Sequence, residues 1–490
     1  MKKNRLWILW LALGVAVLAI AGAVAMDIIW SRSTVKEYEH SISYFFSNRE
    51  GSTRFFADDK LLANNRIGGY VDSFLTSDGT VGIARAGTGL YRIDAEGIIS
   101  VYPAGVDRAA LSLDGSVIVF TTATQVHIYD HRDGGLLDIA PDGATGVPSV
   151  AVSNDGNTVG YSIKTKDGNY EAYCLTKGET KKLADNAYII AIGNNADAVY
   201  YVEPDTLTLC RMKGSSVRRI AENVSGYVEF NRELTEALFD IGGVTHYSKN
   251  GGAAQVLYDG VSVFSTKAEC ASQQGGSECV SMIEDTSTLF DCVYYSTLSS
   301  SSSNKRSAYN LYYVDRFCHV KELAKGTYQF ALTEDRRNLA CLIDGDLYAM
   351  KADSPASAEY ICGDVYSFSM SADGSSFYCI AYDLSFFYVE KDGALIKLAD
   401  NVYRASLTPD GNCLFLSDYS STGTLNIAKG AITEKLRDGV YVFNVQPNAV
   451  FMYTGVYKDE NGADVCDVYS SADGLTYTLA LEAARVDSED

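Results

Sequence analysis

Residues 112–135 read SLDGSVIVFTTATQVHIYDHRDGG, and this stretch decides the fold. Ser112-Leu113-Asp114-Gly115 has the chemistry of a tight turn: glycine tolerates positive φ, and the aspartate can bond its own backbone. Ile118 and Phe120 follow the aspartate by four and six residues, so they share one face of a strand. A second strand, Gln125–Asp130, carries Ile128 and Tyr129. A second turn, Asp133-Gly134-Gly135, then returns the chain. The spacing predicts a run of short antiparallel strands joined by glycine turns.

The same pattern recurs outward in both directions. Clear copies of the turn are Thr76-Ser77-Asp78-Gly79, Ser153-Asn154-Asp155-Gly156, Ser371-Ala372-Asp373-Gly374 and Thr408-Pro409-Asp410-Gly411, with a degenerate copy at Thr333-Glu334-Asp335-Arg336. Weaker copies fall near Asn194, Glu233, Asp285 and Pro447. Apolar pairs again follow at Val159 and Tyr161, Leu339 and Cys341, Phe377 and Cys379, and Leu414 and Leu416. The units close with short strands such as Lys181-Lys182-Leu183-Ala184 and Leu395-Ile396-Lys397-Leu398-Ala399. Four strands in about forty residues make one propeller blade, which cannot bury its apolar faces without neighbours. The pattern resembles the TolB-like, WD-repeat-like propeller family, whose units also set a Ser-x-Asp-Gly turn ahead of an apolar strand. That resemblance spans roughly residues 70–480 and implies a fold, not a function.

The expected architecture is all-β: a β-propeller of about ten four-stranded units over residues 61–490. Long intervals flank Asp285. One holds an insertion at residues 264–280; the other, at 296–308, includes five consecutive serines at 299–303. Two rings jointed there are the alternative to one large ring, but no proline- or charge-rich linker separates the halves. Composition agrees with many short strands: 42 glycines, 34 tyrosines and only 7 prolines, with 47% hydrophobic residues.

The N-terminus has a different character. Lys2, Lys3 and Arg5 precede an uncharged apolar run from Leu6 to Met26, long enough to cross a bilayer as one helix. Residues 1–30 are therefore expected to form a cytoplasmic tip and a transmembrane anchor. Ala23-Val24-Ala25 supplies the rival reading, a cleaved signal peptide. Either places the bulk of the chain outside the cytoplasm, at the plasma membrane or secreted. Residues 31–60 read as a short stalk and a closing strand.

No constellation points to catalysis, a metal or a cofactor. His40, His127, His131, His246 and His319 fit no metal spacing; His127 and His131 straddle a strand and its turn. There is no G-x-S-x-G elbow, and Gly87-Thr88-Gly89 reads as a hairpin turn rather than a nucleotide fingerprint. Asp459-Glu460-Asn461-Gly462-Ala463-Asp464 crowds carboxylates beside a glycine. However, Ser470 stands where a calcium loop needs its bidentate glutamate. The turn aspartates Asp78, Asp114, Asp155, Asp335, Asp373 and Asp410 recur once per unit, which marks them as structural. Cys341 and Cys379 read as core hydrophobes, and Cys270 with Cys279 as a candidate disulfide.

The net charge of −21 argues against nucleic acid as a partner. The expected function is non-catalytic: a membrane-tethered scaffold presenting a loop face or central funnel to a protein, peptide or cell-wall glycan. A tyrosine-lined groove is one form that surface could take. The alternative is a propeller-type glycan hydrolase or lyase, with facing carboxylates in the funnel.

Overall fold

The computed structural model describes residues 40–485 except 48–50, 69–71, 76–78, 259–265, 268–279, 282–287, 299–307, 334, 391–392, 409, 447, 461 and 463. The apolar run Leu6–Met26, Asp78, Asp285 and the Cys270–Cys279 pair lie outside the described residues. Among the described residues no helix is long and apolar enough to cross a membrane.

The described chain is built from strands, with a single 3-10 turn at Asn194–Ala196. Consecutive strands pair antiparallel in four-stranded sheets spanning residues 72–102, 144–185, 188–221, 224–258 and 365–399. The 108–139 sheet is a further such unit. Its first strand also takes Val280–Ser281 as a parallel neighbour, opposite Ala109 and Ala110. Two larger sheets arise because one long strand serves two units. Val320–Leu332 pairs with Tyr309–Val314 through its first half and with Asn338–Ile343 through its second. Ile432–Gln446 does the same between Gly423–Lys429 and Ala449–Thr454. Both strands turn at a glycine in the left-handed region, Gly326 (φ 64°) and Gly439 (φ 72°), where a side chain would be strained. Repeated antiparallel sheets of four strands are consistent with a propeller.

The apolar pairs set by the turns are core residues: Ile118, Phe120, Val159, Tyr161, Leu339, Cys341, Phe377, Cys379, Leu414 and Leu416 are all buried. Their neighbours Val119, Ala340, Tyr378 and Phe415 are buried as well, so these strands are covered on both faces. Stacking explains this, because each sheet shares a core with the next. Ile83, Leu90 and Val101 pack with Ala109, Leu111 and Phe120. Val117 and Val119 pack with Val150 and Tyr161. Farther along, Leu342 and Leu347 meet Phe368 and Phe377, and Phe386 meets Val402 and Phe415.

The series also meets its own beginning. Three strands, Ile42–Ser47, Ser52–Ala57 and Lys60–Gly68, precede the first repeat and extend the sheet of the C-terminal strands, where Ser47 pairs with Ala484 of Thr478–Arg485. Phe55, Leu62 and Ile67 pack on Ala84, Ile93 and Ile98 of the 72–102 sheet. Phe56, from the same strand, packs on Phe451, Val468, Leu481 and Ala484 near the C-terminus. Asn448 donates to the Asp58 carboxylate (3.1 Å) and Ser470 to the Asp59 carbonyl (2.7 Å), across nearly the whole chain.

Candidate functional site: a tyrosine and aspartate edge

Each sheet has two ends, and the turn chemistry fixes one of them. In Ser112–Val117 the Ser112 hydroxyl donates to Asp114 Oδ1 (2.6 Å) and accepts the Val117 N–H (2.9 Å). Asp114 Oδ1 also accepts the Ser116 N–H (3.0 Å). The same network forms at Ser153/Asp155/Thr158, Thr333/Asp335/Asn338 and Ser371/Asp373/Ser376. Asn231 replaces the serine in its copy and accepts the N–H groups of Thr235 and Glu236. The turn aspartates are thus occupied within their own turns. Hydrogen bonds from the Ser375 N–H and the Ser371 hydroxyl hold the Asp373 carboxyl below the ordinary range. Burial pushes Asp114 upward, but the Ser112 and Ser116 hydrogen bonds outweigh it and its pKa is also lowered.

The opposite end carries a second repeat that spacing analysis of the turns does not reveal. Four strands carry a buried β-branched residue followed by tyrosine: Val365-Tyr366 and Val402-Tyr403 at strand starts, and Thr327-Tyr328 and Val440-Tyr441 just past the glycine bends of the two long strands. At each, the register slips by one residue. Val365 faces Ala381 while Ser367 faces Ile380; Val402 faces Ser417 while Arg404 faces Leu416. The same slip flanks Tyr328 and Tyr441. Each tyrosine is therefore the extra residue of a β-bulge, which re-aims a side chain out of the ladder. The β-branched neighbour anchors the strand in the core while the phenol stands at the edge. Tyr366 is 41% and Tyr403 46% exposed.

Turns of the preceding strands add to this edge. The Tyr382 N–H donates to the Asp364 carbonyl (3.1 Å), which brings the turn after Ser376–Ala381 beside the bulge. The Tyr366 and Tyr382 rings then lie 5.8 Å apart at 86°, and Tyr382 is 58% exposed. A Cβ on Gly345 would lie 3.3 Å from the Tyr382 ring, so glycine lets that ring settle against the neighbouring turn. One sheet further on, Tyr403 and Tyr419 are 5.7 Å apart, and Tyr419 and Tyr441 are 6.3 Å apart.

The electrostatics of this edge are one-sided. Asp344, Asp364, Asp383, Asp400, Asp418 and Asp438 are exposed in its turns, whereas residues 343–346, 364–366, 382–385, 400–403, 418–422 and 438–441 contain neither lysine nor arginine. Lys397 and Lys435 reach in from outer strands to Asp400 (2.5 Å) and Asp438 (2.6 Å). The Ser385 N–H holds Asp383, and the Lys435 ammonium Asp438, below the ordinary carboxylate range. Both remain charged at neutral pH.

The histidines are dispersed. His127 is buried, hydrogen-bonded to Thr122 Oγ1 (2.9 Å) and Asp138 Oδ1 (2.7 Å), and stacked on Phe120 at 4.8 Å. That hydroxyl–imidazole–carboxylate row crosses three adjacent strands, with the imidazole sealed beneath Phe120 and Tyr102. His131 lies 3.7 Å from Asp94, His40 bonds Asp58, His319 bonds Asp315 and His246 bonds the Val244 carbonyl. Among the described residues no three of His, Cys, Asp and Glu are grouped to hold a metal. Gly87-Thr88-Gly89 joins two paired strands as a hairpin. Asp459 to Asp464 closes another, between Tyr457–Lys458 and Asp464–Ser471. Cys341 and Cys379 are core residues, and burial pushes the Cys341 thiol up to about 12. Two clefts lie elsewhere, between neighbouring sheets. One, about 310 Å³, is lined by Tyr247, Lys249, Arg316 and Phe317; the other, about 460 Å³, by Asp291, Arg336, Arg337 and Lys351.

No family model matches the sequence, and no curated protein matches it. Alignments to solved structures score low. A crystal structure of a eukaryotic initiation factor aligns at a TM-score of 0.37 and 11% identity, over 82% of this chain and 95% of that one. The extracellular domain of a one-component system from B. thetaiotaomicron aligns at 0.30 and 10%, over 91% and 72%. A protein described as TolB from Agrobacterium tumefaciens aligns at 0.28 and 16%, over 45% of this chain and 88% of that one. At such scores the assignment of a propeller-like, all-β fold stands on the sheets of this chain itself.

Proposed function

We propose that this protein is a non-catalytic binding propeller, tethered to the membrane by its apolar leader and holding its sheets outside the cytoplasm. In this reading ten four-stranded units and the three-stranded 42–68 unit close one ring. The face bearing the bulged tyrosines is presented to a partner.

The observation that carries the reading is the pair of exposed bulged tyrosines, Tyr366 and Tyr403, each beside an aspartate on consecutive sheets. The same bulge recurs at Tyr328 and Tyr441, which are half-buried. Exposed aromatic residues on a rigid scaffold supply contact area at small cost in conformational entropy. The leader supports the tether, because Lys2, Lys3 and Arg5 ahead of an uncharged run orient a single span with its N-terminus inside. No reaction is assigned to the site.

Two experiments test it. Photo-crosslinking from position 403 in intact membranes should capture a partner, and the same probe at position 217, on an outer strand, should not. Protease added to intact cells should degrade residues beyond 40, and alkaline carbonate should leave the full chain in the membrane pellet. A chain shielded from protease, or one that crosslinks equally from both positions, overturns the reading.

A further inference from the structure

We infer that the corner formed by Tyr366 and Tyr382 is a receptor for a cationic side chain, and that the partner presents lysine or arginine from an extended, basic peptide segment. This rests on the binding reading above and names its partner class.

The geometry carries it. The Tyr366 and Tyr382 rings meet edge to face at 86° and 5.8 Å, and both are exposed, so the corner presents aromatic π surface to solvent. A compact cation needs only part of one ring face, whereas a flat sugar stacks along the whole of one. Carboxylates flank both rings in sequence, Asp364 two residues before Tyr366 and Asp383 directly after Tyr382, while Asp344 lies in the neighbouring turn. Lys397 of an outer strand acts on Asp383 and pairs with Asp400, while among the described residues no ion pair is formed by Asp344 or Asp364, so the corner keeps a negative balance that a positive charge on another molecule complements. The corner is also set before binding. Tyr382 is fixed by its N–H bond to the Asp364 carbonyl and by its seat at Gly345. Tyr366 is aimed by the bulge. Repetition at Tyr403, Tyr419 and Tyr441, one sheet over, gives an extended peptide further aromatic contacts beyond a single side chain.

The test uses the full chain in detergent and a labelled peptide of alternating lysine and serine. Parallel peptides carry trimethyl-lysine or acetyl-lysine at every lysine, and a β-linked oligosaccharide serves as the uncharged competitor. The lysine and trimethyl-lysine peptides should bind, and acetylation should weaken binding at least about tenfold, since it removes the charge. Tyr382→Ala should weaken binding about fivefold to tenfold, and Tyr382→Phe should stay within about twofold, because the ring face rather than the hydroxyl does the holding. Phe317→Ala, at an exposed ring on another sheet, should change nothing. Equal binding of the acetylated peptide, or full binding by Tyr382→Ala with native circular dichroism, overturns the inference. Binding of the oligosaccharide alone overturns it and leaves the binding reading standing. If none of these probes binds and the crosslinking above captures no partner, both fall together.

Discussion

At the scale of single residues, the Ser-x-Asp-Gly turn is where local chemistry writes the fold. One serine and one aspartate satisfy the backbone of a tight reversal, and the strands on either side inherit their register from it. Removing the Ser371 hydroxyl (Ser371→Ala) leaves the Ser376 N–H and Asp373 without that partner. The expected cost is about 1 kcal/mol, measured by chemical denaturation. The aspartates also predict a pH dependence with a definite sign. Hydrogen bonds within the turns hold the folded pKa values of Asp114, Asp155, Asp335, Asp373 and Asp473 below the ordinary aspartate value of 3.8. Their stabilising contribution is therefore complete above that value. It is lost as acidification carries the solution down through the folded pKa values, because the unfolded state takes up protons first. The denaturation midpoint should hold steady near neutrality and fall below about pH 4, and Asp373→Asn should lessen the slope of that fall. These turns were readable in sequence because every group they need lies within five residues. One was still missed: in Ser471-Ala472-Asp473-Gly474 the serine hydroxyl again donates to the aspartate, which takes the Leu475 and Thr476 N–H groups itself, but the turn lies between the strands Asp464–Ser471 and Thr478–Arg485, where a forty-residue spacing does not point.

At the scale of elements, two strands and the turn between them are not independent of the sheet before them. Gly156 sits at φ 69°, and a Cβ there would meet Val117 Cγ2 of the previous sheet at 2.5 Å. Gly115 repeats the arrangement against Val81 at 2.9 Å. Glycine at these turns thus serves twice, for the left-handed backbone and for the close approach of the neighbour. Gly156→Ala should destabilise by about 2 kcal/mol or more, whereas Gly168→Ala, at a positive φ with open space, should cost about 1 kcal/mol. Comparing the two by urea denaturation separates the packing part from the backbone part. The tyrosine bulges belong to this scale too, and that is why the candidate site was hidden. A bulge is a property of pairing between two strands, and a single strand's sequence does not display it. The β-branched–tyrosine pairs at 365–366, 402–403 and 440–441 were visible, and so was the abundance of tyrosine. What those pairs lacked, until the register was known, was any reason to point outward.

At the scale of the whole molecule, the arrangement depends on how its beginning meets its end. Residues 31–60 read as a stalk and a closing strand, because no turn signal marks a unit there and the partners of the 42–68 strands lie some four hundred residues away. In the structure one strand looks both ways: Phe55 into the 72–102 sheet and Phe56 into the 440–485 strands. Phe56 and Phe451 meet edge to face at 5.4 Å, both fully buried. Phe56→Ala should therefore cost about 3–5 kcal/mol, the usual range for emptying a buried phenylalanine site. Its effect should also differ in kind from an equal cavity made within the series. Phe120→Ala opens a core between two sheets that are consecutive in sequence and remain held by their connecting chain. Phe56→Ala weakens the seam between N- and C-terminal strands that only the fold brings together, in one sheet. Hydrogen exchange should show the 440–485 and 42–68 strands losing protection together in Phe56→Ala while the 144–221 sheets keep theirs. In Phe120→Ala the loss should centre on residues 72–139. If Phe56→Ala instead left the C-terminal strands as protected as in the parent, the seam would not be what joins the two ends.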